Sequence, residues 1–285
     1  MKICLFTDTH MIDRYSAYDD SVSRVIDFIN SGEFDLALHL GDVVADGARH
    51  PRQFGHAVRQ LAALDTPVRY IPGNHDVGDN PREAASEPSV NIERVAEFAA
   101  LFGADHWVHE ADGWQVVGLN ALLFNSGTEA EVEQFAWLED VLERGQGAVG
   151  LMLHKPLLPH EDHVAPQVRY VPEPARARLF DMLGKRDLKF VASGHVHQRR
   201  DFVVDGIHHI WVPSTSFCMP EALQPSVGDK VVGVTTLELM PDGEFRFEHV
   251  GIDGLVRHNA LDHPEIYPTI AAWREKLGES GRLPD

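Results

Sequence analysis

The sequence predicts an α/β fold in which a layered, largely parallel core is followed by an antiparallel region. Three observations carry this. Short apolar runs alternate with amphipathic stretches through the first two-thirds of the chain. The last third changes to strand-like runs joined by Asp-Gly turns. The length of 285 residues, with 44% hydrophobic and 24% charged, suits a globular chain able to bury a sizeable core in one large domain or two small ones.

Taken in order, residues 2–7 (KICLFT) are short, apolar and followed at once by polar residues, which is a buried strand. Val22, Val25, Ile26 and Ile29 fall at helical spacing and predict a helix over 21–30. Residues 35–40 (DLALHL) are the next strand, followed by a helix around 52–64, a strand at 68–71 and a helix at about 92–102. A strand over 115–119 precedes a helix from about 131 to 144, with Phe135, Leu138 and Leu142 on one face. Strands at 148–153 and 188–192 enclose a helix at 174–184. Residues 202–212, 231–239 and 245–250 read as strands, with turns at Asp205–Gly206 and Asp242–Gly243. Residues 256–285 read as a helical tail or a small appendage, in which Tyr267, Ile270 and Trp273 fall at helical spacing on one face. That face could pack on its own core or on a second copy of the chain. The first is expected, and a homo-oligomer stays open.

The formal net charge is −19. It repels a polyanion such as duplex DNA, and no basic run overrides it, so no nucleic-acid partner is expected. No stretch of about 18 apolar residues occurs, so no membrane partner is expected either. The start MKICLFTDTH lacks the layout of a signal peptide, and a candidate site begins at Asp8. The two cysteines, Cys4 and Cys218, lack metal-ligand spacing, and Cys4 lies in an apolar strand. A cytoplasmic location is the simplest expectation.

The polar residues that follow the strands carry the chemistry. KICLFT leads into Asp8-Thr9-His10, and DLALHL into Gly41-Asp42. VRYIP leads into Gly73-Asn74-His75-Asp76, AVGLML into His154, and LKFVAS into Gly194-His195-Val196-His197. One strand-end histidine is more often structural than a ligand. Five strand ends of one kind point to a single polar cluster at one edge of the sheet. Carboxylates and imidazoles without thiolates suit Mn, Fe or Zn. So many donors exceed one tetrahedral site and fit two ions sharing a bridging carboxylate. Such a pair, roughly 3.5–4 Å apart, binds phosphate and lowers the pKa of a bridging water. Gly41, Gly73 and Gly194 permit sharp turns and close approach there.

These blocks resemble the calcineurin-like metallophosphoesterase family, in its bacterial cyclic-nucleotide phosphodiesterase-like branch, across residues 8–197. The family pattern D-x-H, G-D, G-N-H-[DE], H and G-H-x-H is matched block by block. The resemblance implies a layered α-β-β-α sandwich of two mixed sheets flanked by helices, the metallo-dependent phosphatase-like fold. The family domain would cover 1–255, with the 256–285 tail packing on it. It implies two divalent metal ions, with Asp8, His10 and His197 on the first, Asn74, His154 and His195 on the second, and Asp42 as the bridge. It implies that His75 contacts the phosphate beside Asn74 and protonates the leaving oxygen, with Asp76 orienting His75. A metal-bridging hydroxide would attack phosphorus in line. The sequence departs from many relatives at Ala45, where they carry Asp, and at Lys155, where they carry His. Both departures bear on the substrate pocket rather than on the ligands.

Other signals weigh less. GQGAVG at 145–150 precedes a strand, so it is a turn rather than a dinucleotide fingerprint. His39 reads as a buried core histidine. His208 and His209 should point to opposite faces of a strand, in structural roles. His160 and His163 could line the pocket, Arg14 and Tyr15 could touch substrate, and Arg199 and Arg200 read as surface. The expected substrate is a small phosphodiester, either a cyclic nucleotide or a glycerophosphodiester. A phosphomonoesterase, a nuclease and a non-catalytic metal-binding scaffold are the alternatives. The scaffold is disfavoured because all seven ligands and His75 are retained.

Overall fold

The computed structural model describes residues 1–81, 88–157 and 169–283. A five-stranded sheet is built from β1 (Lys2–Phe6), β2 (Leu36–His39), β3 (Val68–Tyr70), β11 (Val234–Leu239) and β12 (Phe245–Val250), in the order β12-β11-β1-β2-β3. A six-stranded sheet contains β4 (Trp107–Ala111), β5 (Trp114–Gly118), β6 (Ala148–Leu153), β7 (Asp187–Ser193), β8 (Arg200–Val204) and β9 (Ile207–Trp211). Its order is β4-β5-β6-β7-β9-β8. Both sheets are mixed: β1, β2 and β3 are parallel, as are β5, β6, β7 and β9, while β4, β8, β11 and β12 pair antiparallel. A short ladder joins β10 (Phe217–Cys218) to β13 (His258–Asn259).

The layering follows from strand alternation. On β1, Ile3 and Leu5 face the second sheet, where they meet Trp114, Met152, Phe190 and Ile210 in the inter-sheet core. Cys4 and Phe6 face the other way, into α1 (Ala17–Ser31), α2 (Arg52–Leu61) and α4 (Ile92–Phe102) through Val22, Phe54 and Phe98. On β6, Val149, Leu151 and Leu153 face α5 (Glu129–Arg144) and α6 (Ala175–Leu183) through Leu138 and Leu179. The result is helix, sheet, sheet, helix. Strands buried on both faces read as continuous apolar runs, which is how KICLF and AVGLML appear in the sequence.

Helix α1 starts earlier than its apolar spacing indicates, because Ser16 and Asp19 form a capping box ahead of it. The sequence reading did not anticipate β4. It pairs with β5 through a turn at Asp112 (φ 52°) and Gly113 (φ 80°), both left-handed as a tight hairpin requires. The 202–212 stretch folds as the hairpin β8–β9 through Asp205 (φ 52°) and Gly206 (φ 81°). A one-turn helix, α3 (Asn74–Val77), begins in the Gly-Asn-His-Asp block. The tail forms α7 (Pro268–Leu277). Its expected apolar face divides: Tyr267 is buried, Ile270 packs partly beside Phe217 and Tyr18, and Trp273 is exposed.

Candidate metal centre

The loops after β1, β2, β3, β6 and β7 meet at one edge of the two sheets. The first two continue side by side beyond their strands: Asp8 N–H donates to Gly41 O (3.0 Å), His10 N–H to Asp42 O (3.1 Å) and Met11 N–H to Val43 O (3.1 Å). Asp76 ties in the third loop, its carboxylate accepting the backbone N–H groups of Gly73 (2.8 Å), Val44 (3.0 Å) and Val43 (3.2 Å). Gly194 N–H donates to His154 O (3.0 Å) and His195 N–H to Asp8 Oδ2 (3.1 Å), which joins the last two. Thr9 hydroxyl donates to Val43 O (2.9 Å).

The backbone there is unusual. Asp8, His10, Asp42, His195 and His197 all have φ between 46° and 68°, the left-handed region that side chains avoid. Among the described residues the other non-glycine positions of this kind, Asp112, Asn125 and Asp205, lie in other parts of the fold. Each left-handed residue costs about 1–2 kcal/mol. Such strain concentrates at functional sites and persists only where the surroundings enforce it.

The side chains converge in two groups. Asp8, His10 and His197 bring one donor atom each within 4.8 Å of one another, and so do Asp42, His154 and His195. Asn74 joins the second group, its Oδ1 lying 3.2 Å from His154 Nε2. Asp42 lies between them: its Oδ2 is 3.7 Å from His10 Nε2 and 3.2 Å from His154 Nε2. His75 approaches His10 and Asp42 as a third group. All seven expected ligands are therefore in one place, with His75 beside them.

Hydrogen bonding fixes which atoms face inward. His197 Nδ1 lies 2.9 Å from Phe217 O, and His154 Nδ1 lies 2.8 Å from Leu40 O. A carbonyl only accepts, so both Nδ1 atoms carry the proton. In the neutral ring each Nε2 then presents a lone pair. His197 Nε2 faces Asp8 Oδ1 at 3.3 Å and His10 Nε2 at 3.2 Å. His154 Nε2 faces Asn74 Oδ1 and His195 Nδ1, each at 3.2 Å. Asp8 Oδ1 is buried without a hydrogen bond. Acceptors aimed at acceptors repel unless a cation or proton lies between them. Ligand atoms about 2.0–2.2 Å from one ion sit about 3.0–3.5 Å apart at neighbouring corners, so the spacing fits a divalent metal in each group.

The electrostatics agree. Burial opposes ionisation of Asp8, but the imidazoles of His197, His10 and His154 around it hold its carboxyl well below the usual range. Asp42 is held low in the same way, burial being outweighed by His154 and His75. Burial pushes His10 down to about 4 against the pull of Asp8 and Asp42, and pushes His195 well down, helped by His154. His154 differs: against burial, Asp42 and Asp8 raise it to about 9, and a bound cation would displace the proton it holds. Burial and the Asp42 charge push Asp76 up to about 7, opposed by its three backbone donors.

The orientation of His75 differs from expectation. Its Nδ1 donates to Ala45 O (2.6 Å), while the carboxylate of Asp76 accepts from the backbone of two neighbouring loops. Asp76 thus holds the loops together, and a carbonyl fixes the His75 ring. Ala45 serves through its main chain. Lys155 is fully buried and pairs with Asp79, with Nζ also 2.9 Å from Asn80 Oδ1. His39 is a buried core residue that accepts from Gly41 N–H (3.1 Å) and contacts Thr9 Oγ1 (3.0 Å). His160 and His163 lie outside the described residues.

Two contributions carried little sequence signal. Ser214 and Ser216 follow β9 and donate to Asp8 O (3.2 Å) and Thr9 O (2.9 Å), a sixth strand end that the same reasoning could have reached. Tyr267 places its hydroxyl 2.5 Å from His10 Nδ1 across 257 positions of sequence, which no local pattern announces.

The calcineurin-like phosphoesterase family model matches residues 1–199. The chain belongs to the calcineurin-like phosphoesterase family. Members of this family use a dinuclear divalent metal centre, and the His and Asp groups described above are candidate ligands for one. This calcineurin-like chain is 24% identical to the 3',5'-cyclic adenosine monophosphate phosphodiesterase CpdA of Haemophilus influenzae over 258 residues, covering 87% of this chain and 89% of the relative. It is 24% identical to a probable cyclic nucleotide phosphodiesterase of Psychrobacter over 221 residues, covering 73% of this chain and 59% of that relative. The fold resembles a dimetal phosphatase from Danio rerio, with a TM-score of 0.58, 16% identity and coverage of 84% of this chain and 93% of that one.

Proposed function

We propose that this chain is a phosphoric ester hydrolase that cleaves a small phosphodiester at a centre of two divalent ions, Mn, Fe or Zn. The observation that carries this reading is the pair of converging acceptor groups with Asp42 between them. Asp8, His10 and His197 would hold one ion and Asn74, His154 and His195 the other, with Asp42 placed to serve both. When bound, the two ions neutralise charge on the phosphoryl oxygens and acidify the attacking water. Asn74 and His75 hold the phosphate. With Nδ1 committed to Ala45 O, His75 moves its proton through Nε2, toward the leaving oxygen.

A cyclic nucleotide or glycerophosphodiester is the preferred substrate class, and the named cyclic-nucleotide relatives support the first. A cavity of about 540 Å³ is lined by Arg14, Arg49 and Arg52 against the carboxylates Asp13 and Glu265. Its wall includes Ile12, two residues past His10, and Ile266, next to Tyr267. Arg14 pairs with Asp13 and Arg49 with Asp46, so the positive charge there is largely matched, and the net charge of −19 disfavours a long polyanion. The same charge argues against nucleic acid. Among the described residues no helix is long and apolar enough to cross a membrane, and Cys4 and Cys218 are buried free thiols, which suits a reducing compartment such as the cytoplasm.

The deciding experiment compares bis-aryl and mono-aryl phosphates, cyclic nucleotides and glycerophosphodiesters with the Mn-loaded chain. Higher kcat/KM on diesters is expected. Higher efficiency on the mono-aryl phosphate would make the enzyme a phosphomonoesterase, and no turnover of any ester would sink the hydrolase reading.

A further inference from the structure

We propose that Tyr267, from the segment after the last long strand, is a positioning residue for the His10 metal ligand. The inference rests on the two-ion reading above and extends it to a part of the chain that the family match at 1–199 does not reach. His10 is fully buried and its two ring nitrogens face opposite ways. Nε2 points into the centre, 3.7 Å from both Asp8 Oδ1 and Asp42 Oδ2 and 3.2 Å from His197 Nε2. Nδ1 points out of it, 2.5 Å from the Tyr267 hydroxyl.

The bond has a direction once Nε2 holds a metal. A ligating Nε2 gives up its proton, so Nδ1 carries one and donates it to the Tyr267 oxygen. The partner of the outer nitrogen fixes the ring and raises the basicity of the inner one. His197 and His154 use the main-chain carbonyls of Phe217 and Leu40 for this purpose. His10 uses a side chain supplied from 257 residues away.

The surroundings hold that side chain in place. Tyr267 is buried with Ile12, Tyr18, Phe217, Ala260 and Ile266 in one apolar cluster. Its ring meets Phe217 edge-on at 5.6 Å between centroids, and Phe217 in turn lies 4.9 Å from the His10 ring. The short β10–β13 ladder pins the start of the segment beside Phe217. The aromatic packing therefore sets where the hydroxyl sits, and the hydroxyl sets how His10 turns.

The test uses the full-length chain stripped of metal and titrated with Mn²⁺ or Co²⁺, as wild type, Tyr267→Phe and Tyr267→Ala. The wild type should take up two equivalents. Tyr267→Phe should weaken one equivalent by roughly 10- to 100-fold, leave the other unchanged and shift the visible Co²⁺ spectrum. Its metal-free melting temperature should match wild type, which separates positioning from folding. Wild-type affinity for both equivalents in Tyr267→Phe would overturn the proposal, even if Tyr267→Ala binds poorly, because the ring alone would then suffice. Fewer than two equivalents in the wild type would instead overturn the two-ion reading itself. A measurement on the unmodified chain guards against a variant that fails to fold. In the Zn²⁺-loaded protein the His10 Nδ1 should carry a slowly exchanging proton by NMR, and an unprotonated Nδ1 would overturn the proposal.

Discussion

His75 and Asp42 are joined through the His75 main chain yet have separable tasks. His75 is anchored by Ala45 O through Nδ1, and its backbone N–H donates to Asp42 Oδ1 at 2.8 Å. Removing the ring in His75→Ala should lower kcat by on the order of 10²–10⁴ while two metals per chain are retained. Unchanged turnover would take His75 out of the mechanism. Asp42→Asn keeps an oxygen for the His75 N–H but removes the charge between the two donor groups. Both metals should then bind more weakly in a titration of the stripped protein; loss of one alone would show that Asp42 is not shared. The strand-end residues were legible in the sequence because apolar runs lead directly into them. The role of Asp76 was not: a carboxylate beside a catalytic histidine suggests orientation of its ring, whereas the N–H groups it satisfies belong to positions 43, 44 and 73.

The same contrast between local pattern and long-range contact governs the elements. Buried parallel strands were readable as continuous apolar runs, and their order in the chain placed five loops at one sheet edge. The β4 strand was missed because WVHEA mixes polar and apolar residues, although Asp112–Gly113 beside it is a hairpin signal of the kind recognised at Asp205–Gly206. Glycines at the loop crossings are more informative than their flexibility alone implies. Gly73 has φ −106°, which any residue can adopt, but a methyl group there would fall on the Asp42 carboxylate and backbone nitrogen. Gly73→Ala should therefore cost about 1–3 kcal/mol from overpacking and also reduce metal content, since Asp42 must move. Gly206→Ala is the control. Its φ of +81° strains an alanine, yet a Cβ there meets nothing within 4 Å, so it should cost about 1 kcal/mol with metal binding intact. Equal metal content in the two variants would argue against Gly73 spacing the centre.

At the scale of the whole molecule, buried histidines give the metal-free protein a stability maximum in pH. His209 on β9 stacks on Phe202, His249 on β12 bonds Thr235, and each leaves Nε2 buried without a partner. Burial pushes both down to about 4, with further lowering from His208 and Arg199 respectively. The unfolded chain takes up these protons near 6.5 and the folded chain only near 4. Between those values the unfolded state binds more protons, and stability falls as the pH drops. His10 and His39, at about 4 and about 3, act in the same direction. The depressed carboxylates Asp8 and Asp42 contribute only below their ordinary range, while Asp76, raised to about 7, keeps its proton in the folded chain and opposes the histidines between about 7 and 4; four histidines outweigh one carboxyl, so stability still falls as the pH drops. His154 supplies the other limb. Raised to about 9, it stabilises the fold fully below 6.5 and loses that contribution as the pH rises through about 9. The melting temperature of the stripped protein should accordingly peak near neutral pH and fall on both sides. His209→Gln should flatten only the acid limb. Saturating Mn²⁺ should abolish the part of the alkaline limb between about 6.5 and 9, because the proton on His154 is the one metal displaces, and should steepen the acid limb, where protons compete for every ligand; the loss at still higher pH, where buried Cys4, Cys218 and Tyr70 keep protons that the unfolded chain releases, should remain. An alkaline limb that persists unchanged with metal bound would place the His154 proton outside the metal equilibrium and with it His154 outside the ligand set.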